Sequence, residues 1–112
     1  MATKAFALIC TRDKEVALGV GLRWSFNAIN KNWMDEVKVI LFGPAQELAA
    51  HDSDVQAKIK DLQKAGIEVL ACKACADEKN ITAKLEAAGL TVVYVGSIIS
   101  QLLKDGWASL TF

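Results

Sequence analysis

Ala65-Gly66-Ile67-Glu68-Val69-Leu70-Ala71-Cys72-Lys73-Ala74-Cys75 carries a helix end, a strand and the start of the next helix within eleven residues. Glycine after a helical run, followed at once by an apolar residue, is the left-handed C-cap with its hydrophobic contact. The apolar run Ile67–Ala71 that follows is short and β-branched in part, as a buried strand requires. The same grammar recurs at Ala88-Gly89-Leu90 and Asp105-Gly106-Trp107, introducing strands at Thr91–Val95 and Ala108–Thr111. Upstream, Ala5–Ile9 and Val37–Phe42 read as strands, the second stopped by Gly43-Pro44.

Helices fill the intervals. Thr11-Arg12-Asp13 supplies a turn and an N-cap for a helix from about Lys14 to Asn30. A short helical stretch near Ala45–Ala50 precedes one opened by Ser53-Asp54-Val55-Gln56, read as a capping box. In that helix Val55, Ile59 and Leu62 form one apolar stripe. Strict alternation of five strands with at least four helices predicts an α/β fold. The expected architecture is a three-layer α/β/α sandwich, Rossmann-like, around a mainly parallel five-stranded sheet. Strand order is open, and the last strand is free to be an antiparallel edge.

The first long helix carries two apolar stripes. Leu18, Leu22, Phe26 and Ile29 are expected to face the sheet, and Val16, Val20 and Trp24 lie two positions off. A helix apolar on two sides is buried on two sides, by a neighbouring element or by a second subunit. Trp33 and Trp107 also need cover, so homo-oligomerisation is expected.

At 112 residues, without a Gly/Ser-rich or Pro-rich linker, the chain is expected to form a single domain over residues 1–112. The 53% hydrophobic and 7% aromatic content describes an aliphatic core suited to a sheet covered on both faces. Thirteen Lys and Arg balance thirteen Asp and Glu, and no basic stripe with aromatics occurs, which argues against a nucleic-acid partner. No apolar run reaches membrane-span length, and the opening Met-Ala-Thr-Lys lacks a signal-peptide pattern. The expected location is therefore the reducing cytoplasm, where a CxxC pair is reactive or metal-binding rather than a structural disulfide. The sequon Asn80-Ile81-Thr82 then carries no meaning.

In an open α/β sheet the carboxyl ends of the strands carry the chemistry. Those ends are Cys10-Thr11, Gly43-Pro44, Cys72 with Cys75, and Gly96-Ser97, where Ser97 reads as a candidate cap of the last helix. Cys72 and Cys75 are either small core residues or reactive thiols. Lys73, Asp77, Glu78 and Lys79 place the segment at a surface, which favours reactivity. Lys73 and the helix that follows would both favour the thiolate. Cys72, nearest the strand end, is the nucleophile candidate, and Cys75 resolves it or tucks against the helix. A thioredoxin-type reading lacks a convincing place for the only proline, Pro44. A metal reading would recruit Cys10, Cys72, Cys75 and His51, but a lone CxxC is a weak zinc signal, so neither metal nor cofactor is expected. No G-x-G-x-x-G and no P-loop occurs.

On these residues the chain resembles the DsrE/DsrF-like family of small sulfur-relay proteins. The likeness runs through Lys38–Pro44, Gly66–Cys75, Gly89–Gly96 and Leu103–Ala108. It implies an α/β/α sandwich that assembles as trimers or hexamers, and a cysteine after the third strand, here Cys72, that carries a persulfide. The implied partners are a sulfur donor and a sulfur acceptor protein, and the implied activity is a relay carrier or sulfurtransferase. Cys75 stands outside the general relay pattern. A thiol–disulfide oxidoreductase using the Cys72/Cys75 pair, and a binding or assembly module with structural or metal-bound cysteines, stay open beside it.

Overall fold

The computed structural model describes residues 3–112; Met1 and Ala2, which begin the stretch read for a signal peptide, lie outside the described residues. Five strands, β1 (Lys4–Ile9), β2 (Glu36–Leu41), β3 (Glu68–Cys72), β4 (Thr91–Val93) and β5 (Ala108–Thr111), form one sheet in the order β4-β3-β2-β1-β5. Every pairing is parallel, including β1 with β5, so the last strand is not an antiparallel edge.

That order dictates how the faces are covered. From β1 the chain steps outward to β2, β3 and β4, then returns across the sheet to place β5 beyond β1. Right-handed crossovers put the first three connections on one face and the returning one on the other. The first connection is α1 (Lys14–Val16), a π-helical segment Ala17–Leu22 and α2 (Arg23–Asn30). The second is α3 (Ala45–His51) with α4 (Ser53–Lys64), and the third is α5 (Lys73–Glu78) with α6 (Thr82–Ala87). All three share a core with Ala7, Ile9, Val37, Val39, Leu41, Val69 and Ala71. The alternate strand residues Phe6, Ile40, Leu70 and Cys72 pack instead with Val95 and Leu102 of α7 (Val95–Lys104). Among the described residues one face thus has three helical connections and the other a single helix.

The three glycine stops behave as expected. Gly66, Gly89 and Gly106 have φ of 86°, 89° and 84°. The next amide in each case, Ile67, Leu90 or Trp107, donates five residues back to Leu62, Leu85 or Leu102 at 3.0–3.1 Å, the long bond of a Schellman turn. Asp13 caps the first helix by accepting from the amides of Glu15 and Val16.

Three local expectations are corrected. Asp52, not Ser53, caps α4, accepting from the amides of Asp54 and Val55 at 2.9 and 3.0 Å; a carboxylate reaching two N–H groups displaces the neighbouring hydroxyl. Ser97 caps nothing, because β4 ends at Val93 and Tyr94 already stands at the N-cap of α7. The first helix contains a π-helical segment, and its closest approach to the core is through Ala17, Gly21, Ser25 and Ala28. Of the large stripe only Leu22 is fully buried; Leu18, Phe26, Ile29 and also Trp24 pack half-buried against the same core. Small residues let the helix lie close on the sheet, and the larger ones wedge along its flanks. Val20 and Trp33 stay 50% and 55% exposed, so the cover expected for them does not come from the described residues of this chain.

Gly21 shows how tight that approach is. A Cβ there would stand 3.1 Å from Ile9 Cδ1 and 3.3 Å from the Phe112 ring, whereas one at Gly19 would meet nothing within 4 Å. Ile9 is fully buried and has little room to yield. Gly21→Val is expected to destabilise by about 1–3 kcal/mol through overpacking. Gly19→Ala is expected to stabilise by up to about 1 kcal/mol through helix propensity. Urea midpoints of the two variants measure the contrast.

Candidate functional site

Cys72 is the last residue of β3 and the N-cap of α5, and Cys75 follows in the first turn of that helix. Alternation along β3 aims Val69 and Ala71 at the many-helix face, and Leu70 and Cys72 at the α7 face. Cys72 is therefore buried, 5% exposed, in the smaller cluster, and Cys75 packs half-buried against the same cluster. The Cys75 thiol lies beside that of Cys72 and close to the backbone N–H of Gly43. Burial pushes the Cys75 thiol up, the neighbouring Cys72 adds to that, and the Gly43 amide pulls partly back.

The Gly43-Pro44 turn thus belongs to the site, a placement that spacing in the sequence does not reveal. Gly43 takes φ of 66°, a left-handed conformation that glycine adopts without steric penalty, and Pro44 then begins the entry into α3. From α3 comes a second contributor that sequence reasoning missed. Gln46 is fully buried, and its side-chain amide donates to the Cys72 carbonyl at 2.8 Å. Its own Oε1 has no hydrogen-bond partner among the described residues. The available signal was positional: Gln46 shares a helix face with Ala49 and Ala50, at steps of three and four, among residues that are otherwise apolar.

The expected thiolate-stabilising groups are arranged otherwise. Lys73 Nζ pairs with Asp77 at 3.0 Å and lies 6.0 Å from the centre of the exposed Tyr94 ring. Asp77 also accepts from Thr82 at 2.6 Å; the Thr82 hydroxyl and then Lys73 hold its carboxyl below the usual carboxylate range. The Lys73 charge is therefore committed to a carboxylate one turn away. The helix after Cys72 is only six residues long, and Cys72 makes no side-chain cap bond to it. At Cys75 it is the Gly43 amide that favours the thiolate against burial.

Cys10 belongs to another part of the edge. β2 lies between β1 and β3, which puts the ends of those strands about 10 Å apart. The Cys10 amide donates to the Phe112 carbonyl at 2.7 Å, and its carbonyl accepts from Ala45 at 3.2 Å. It pins the chain end and the α3 entry, and burial pushes its thiol up. His51 is exposed in the last turn of α3. Among the described residues no three His, Cys, Asp or Glu side chains converge as a metal site, so Cys10, Cys72, Cys75 and His51 are not brought together as ligands. Among the same residues no helix is long and apolar enough to cross a membrane.

A wholly parallel five-stranded sheet with a cysteine pair at the carboxyl end of its third strand defines a small thiol-bearing α/β protein. The chain belongs to the DsrE/DsrF-like family, whose model matches residues 4–112. Among solved structures it is similar to BT1422, a conserved protein of unknown function from Bacteroides thetaiotaomicron. That likeness has a TM-score of 0.91 and 27% identity, covering 98% of this chain and 95% of that one. MTH1491, a protein of unknown function from Methanobacterium thermoautotrophicum, shares the fold at TM-score 0.82 and 16% identity, over 97% and 98% of the two chains. The ychN protein from E. coli does so at TM-score 0.76 and 15% identity, over the full length of both. No curated protein matches the chain.

Proposed function

We propose that this protein is a cytoplasmic, homo-oligomeric sulfur carrier in which Cys72 holds sulfane sulfur as a persulfide. The Cys72 thiolate attacks the outer sulfur of a donor persulfide. The new S–S bond forms as the donor's S–S bond breaks, giving Cys72–S–SH and the donor thiolate. An acceptor thiolate then attacks that outer sulfur and regenerates the Cys72 thiolate, so no net electrons are exchanged. The supporting observation is a buried cysteine at a strand end, with a second sulfur and a backbone amide beside it, in a chain of this family. Burial shields the carried sulfur from bulk oxidants, and the Cys75 thiol lies beside it.

Incubation with thiosulfate, polysulfide or a persulfidated donor is expected to add about 32 Da at Cys72. The adduct should persist in Cys10→Ser and vanish in Cys72→Ser. No adduct with any donor, or an adduct confined to Cys75 or Cys10, counts against the assignment. The closeness of the two thiols supports a second reading, a reversible Cys72–Cys75 disulfide, which would register in the same spectra as a loss of about 2 Da on oxidation.

A further inference from the structure

The face of the sheet opposite the Cys72 cluster carries a basic cavity with no evident part in thiol chemistry. Its volume is about 530 Å³, within the range of small-ligand sites, and it lies where α2 meets α4. Arg23, Asn27 and Lys31 follow one another at steps of four along the first helix and its end, so they line one stripe. Gly19 extends that stripe into the π-helical segment, where a side chain would meet nothing within 4 Å, and leaves this end open. From α4, Lys58 reaches across with its ammonium 4.1 Å from the centre of the Phe26 ring.

Three cations therefore surround one cavity whose lining includes no carboxylate among the described residues. Among those residues none of the three forms an ion pair. Asp54, one turn before Lys58, is engaged by Lys14 at 2.8 Å instead. In a chain of zero formal charge this is a local segregation of positive charge, and it raises the potential in the cavity until a counter-charge enters. The Arg23 guanidinium offers a planar fork to an oxyanion, the Asn27 amide supplies a neutral N–H, and the two lysines supply point charges.

We propose that this cavity binds a small polyanion of the phosphoryl type, a di- or triphosphate chain, recognised through its oxygens. The three cations converge on one compact cavity rather than along an extended stripe, which suits a compact anion rather than a nucleic-acid strand. Phe26 is the aromatic residue of the lining, and Lys58 sits over its ring, so the lining itself offers a base no open ring; the exposed Trp33 beside Lys31 lies outside the lining. Inorganic triphosphate and a nucleoside triphosphate should therefore bind alike.

Calorimetric or NMR titration of the intact protein with inorganic triphosphate, in parallel with a nucleoside triphosphate, tests this. Saturable binding of both is expected, with affinities within about threefold of each other and weakening as salt is raised. Arg23→Glu and Lys58→Glu should each weaken binding about tenfold or more, as expected for losing a charge-assisted contact and adding a like charge. Lys58→Arg should retain it, and Lys104→Glu, on α7 across the sheet, should change nothing; circular dichroism checks the fold of each variant. The proposal is overturned by an absence of saturable binding, or by binding indifferent to Arg23→Glu and Lys58→Glu. Equal weakening by Lys104→Glu, or a strong preference for the nucleotide over the inorganic chain, overturns it too.

Discussion

Gln46→Glu is expected to lower stability by about 3–4 kcal/mol at pH 7 and to restore nearly all of it by about pH 4.5. The position is fully buried and its amide donates to the Cys72 carbonyl, so an ionised carboxylate there would set acceptor against acceptor. The carboxyl escapes by keeping its proton in the folded state, where the O–H replaces the lost N–H as donor. Its folded pKa is thereby raised above the unfolded value of about 4.3. A group raised in this way stabilises fully below the unfolded pKa, and that contribution is lost as pH climbs. The loss accumulates at about 1.4 kcal/mol per pH unit until the folded pKa is reached, which gives the quoted figure if that lies near or above about 7. Urea unfolding of the variant and the parent side by side, across that pH range, isolates the difference. A variant as stable as the parent at neutral pH would show that the site is open to water and that Gln46 is not the enclosed tie between α3 and the Cys72 junction.

The elements this chain announces in its sequence are those decided locally. Gly66, Gly89 and Gly106 are readable as helix stops because the left-handed cap involves only the glycine and its neighbours. The stripe Val55, Ile59 and Leu62 likewise declares its burial through spacing alone. Strand order and the direction of β5 were not legible, because they depend on which crossover returns across the sheet. The sheet-facing stripe of the first helix differs from expectation for a related reason. Leu18, Phe26 and Ile29 outrank Ala17, Gly21 and Ala28 in hydrophobicity, but steric closeness gives the smaller residues the contact.

At the site, the pairing of Cys72 with Cys75 was legible because residues three apart across a helix start are neighbours. Their environment was not. Lys73 finds Asp77, Gly43 arrives from the end of β2, and Gln46 reaches over from α3. Each of these is a choice among partners that the spacing of the cysteines does not encode.

The asymmetry of the two faces has a consequence for the thiols that Phe6→Ala brings out. Phe6 is fully buried in the cluster under α7, and that cluster has few members: Ile40, Leu70, Cys72, Val95 and Leu102 are its other buried residues among those described. Removing the ring is expected to cost about 3–5 kcal/mol, from lost transfer energy together with the cavity left behind. On this face α7 is the only helix among the described residues, so the ring that is removed is part of what holds α7 to the sheet and over Cys72. Leu85→Ala on the opposite face, also fully buried, is expected to cost about 2–5 kcal/mol, but its neighbours belong to the core shared by the other helices. The two variants should therefore part company in thiol accessibility. In Phe6→Ala, alkylation of Cys72 under native conditions should accelerate far more than in Leu85→Ala of matched global stability, because local opening of α7 exposes the sulfur without unfolding the rest. Mass-resolved alkylation time courses give the comparison directly. Equal rates in the two variants would mean that Cys72 is reached only through global unfolding, and a carrier working through that sulfur would then need a partner to lift α7.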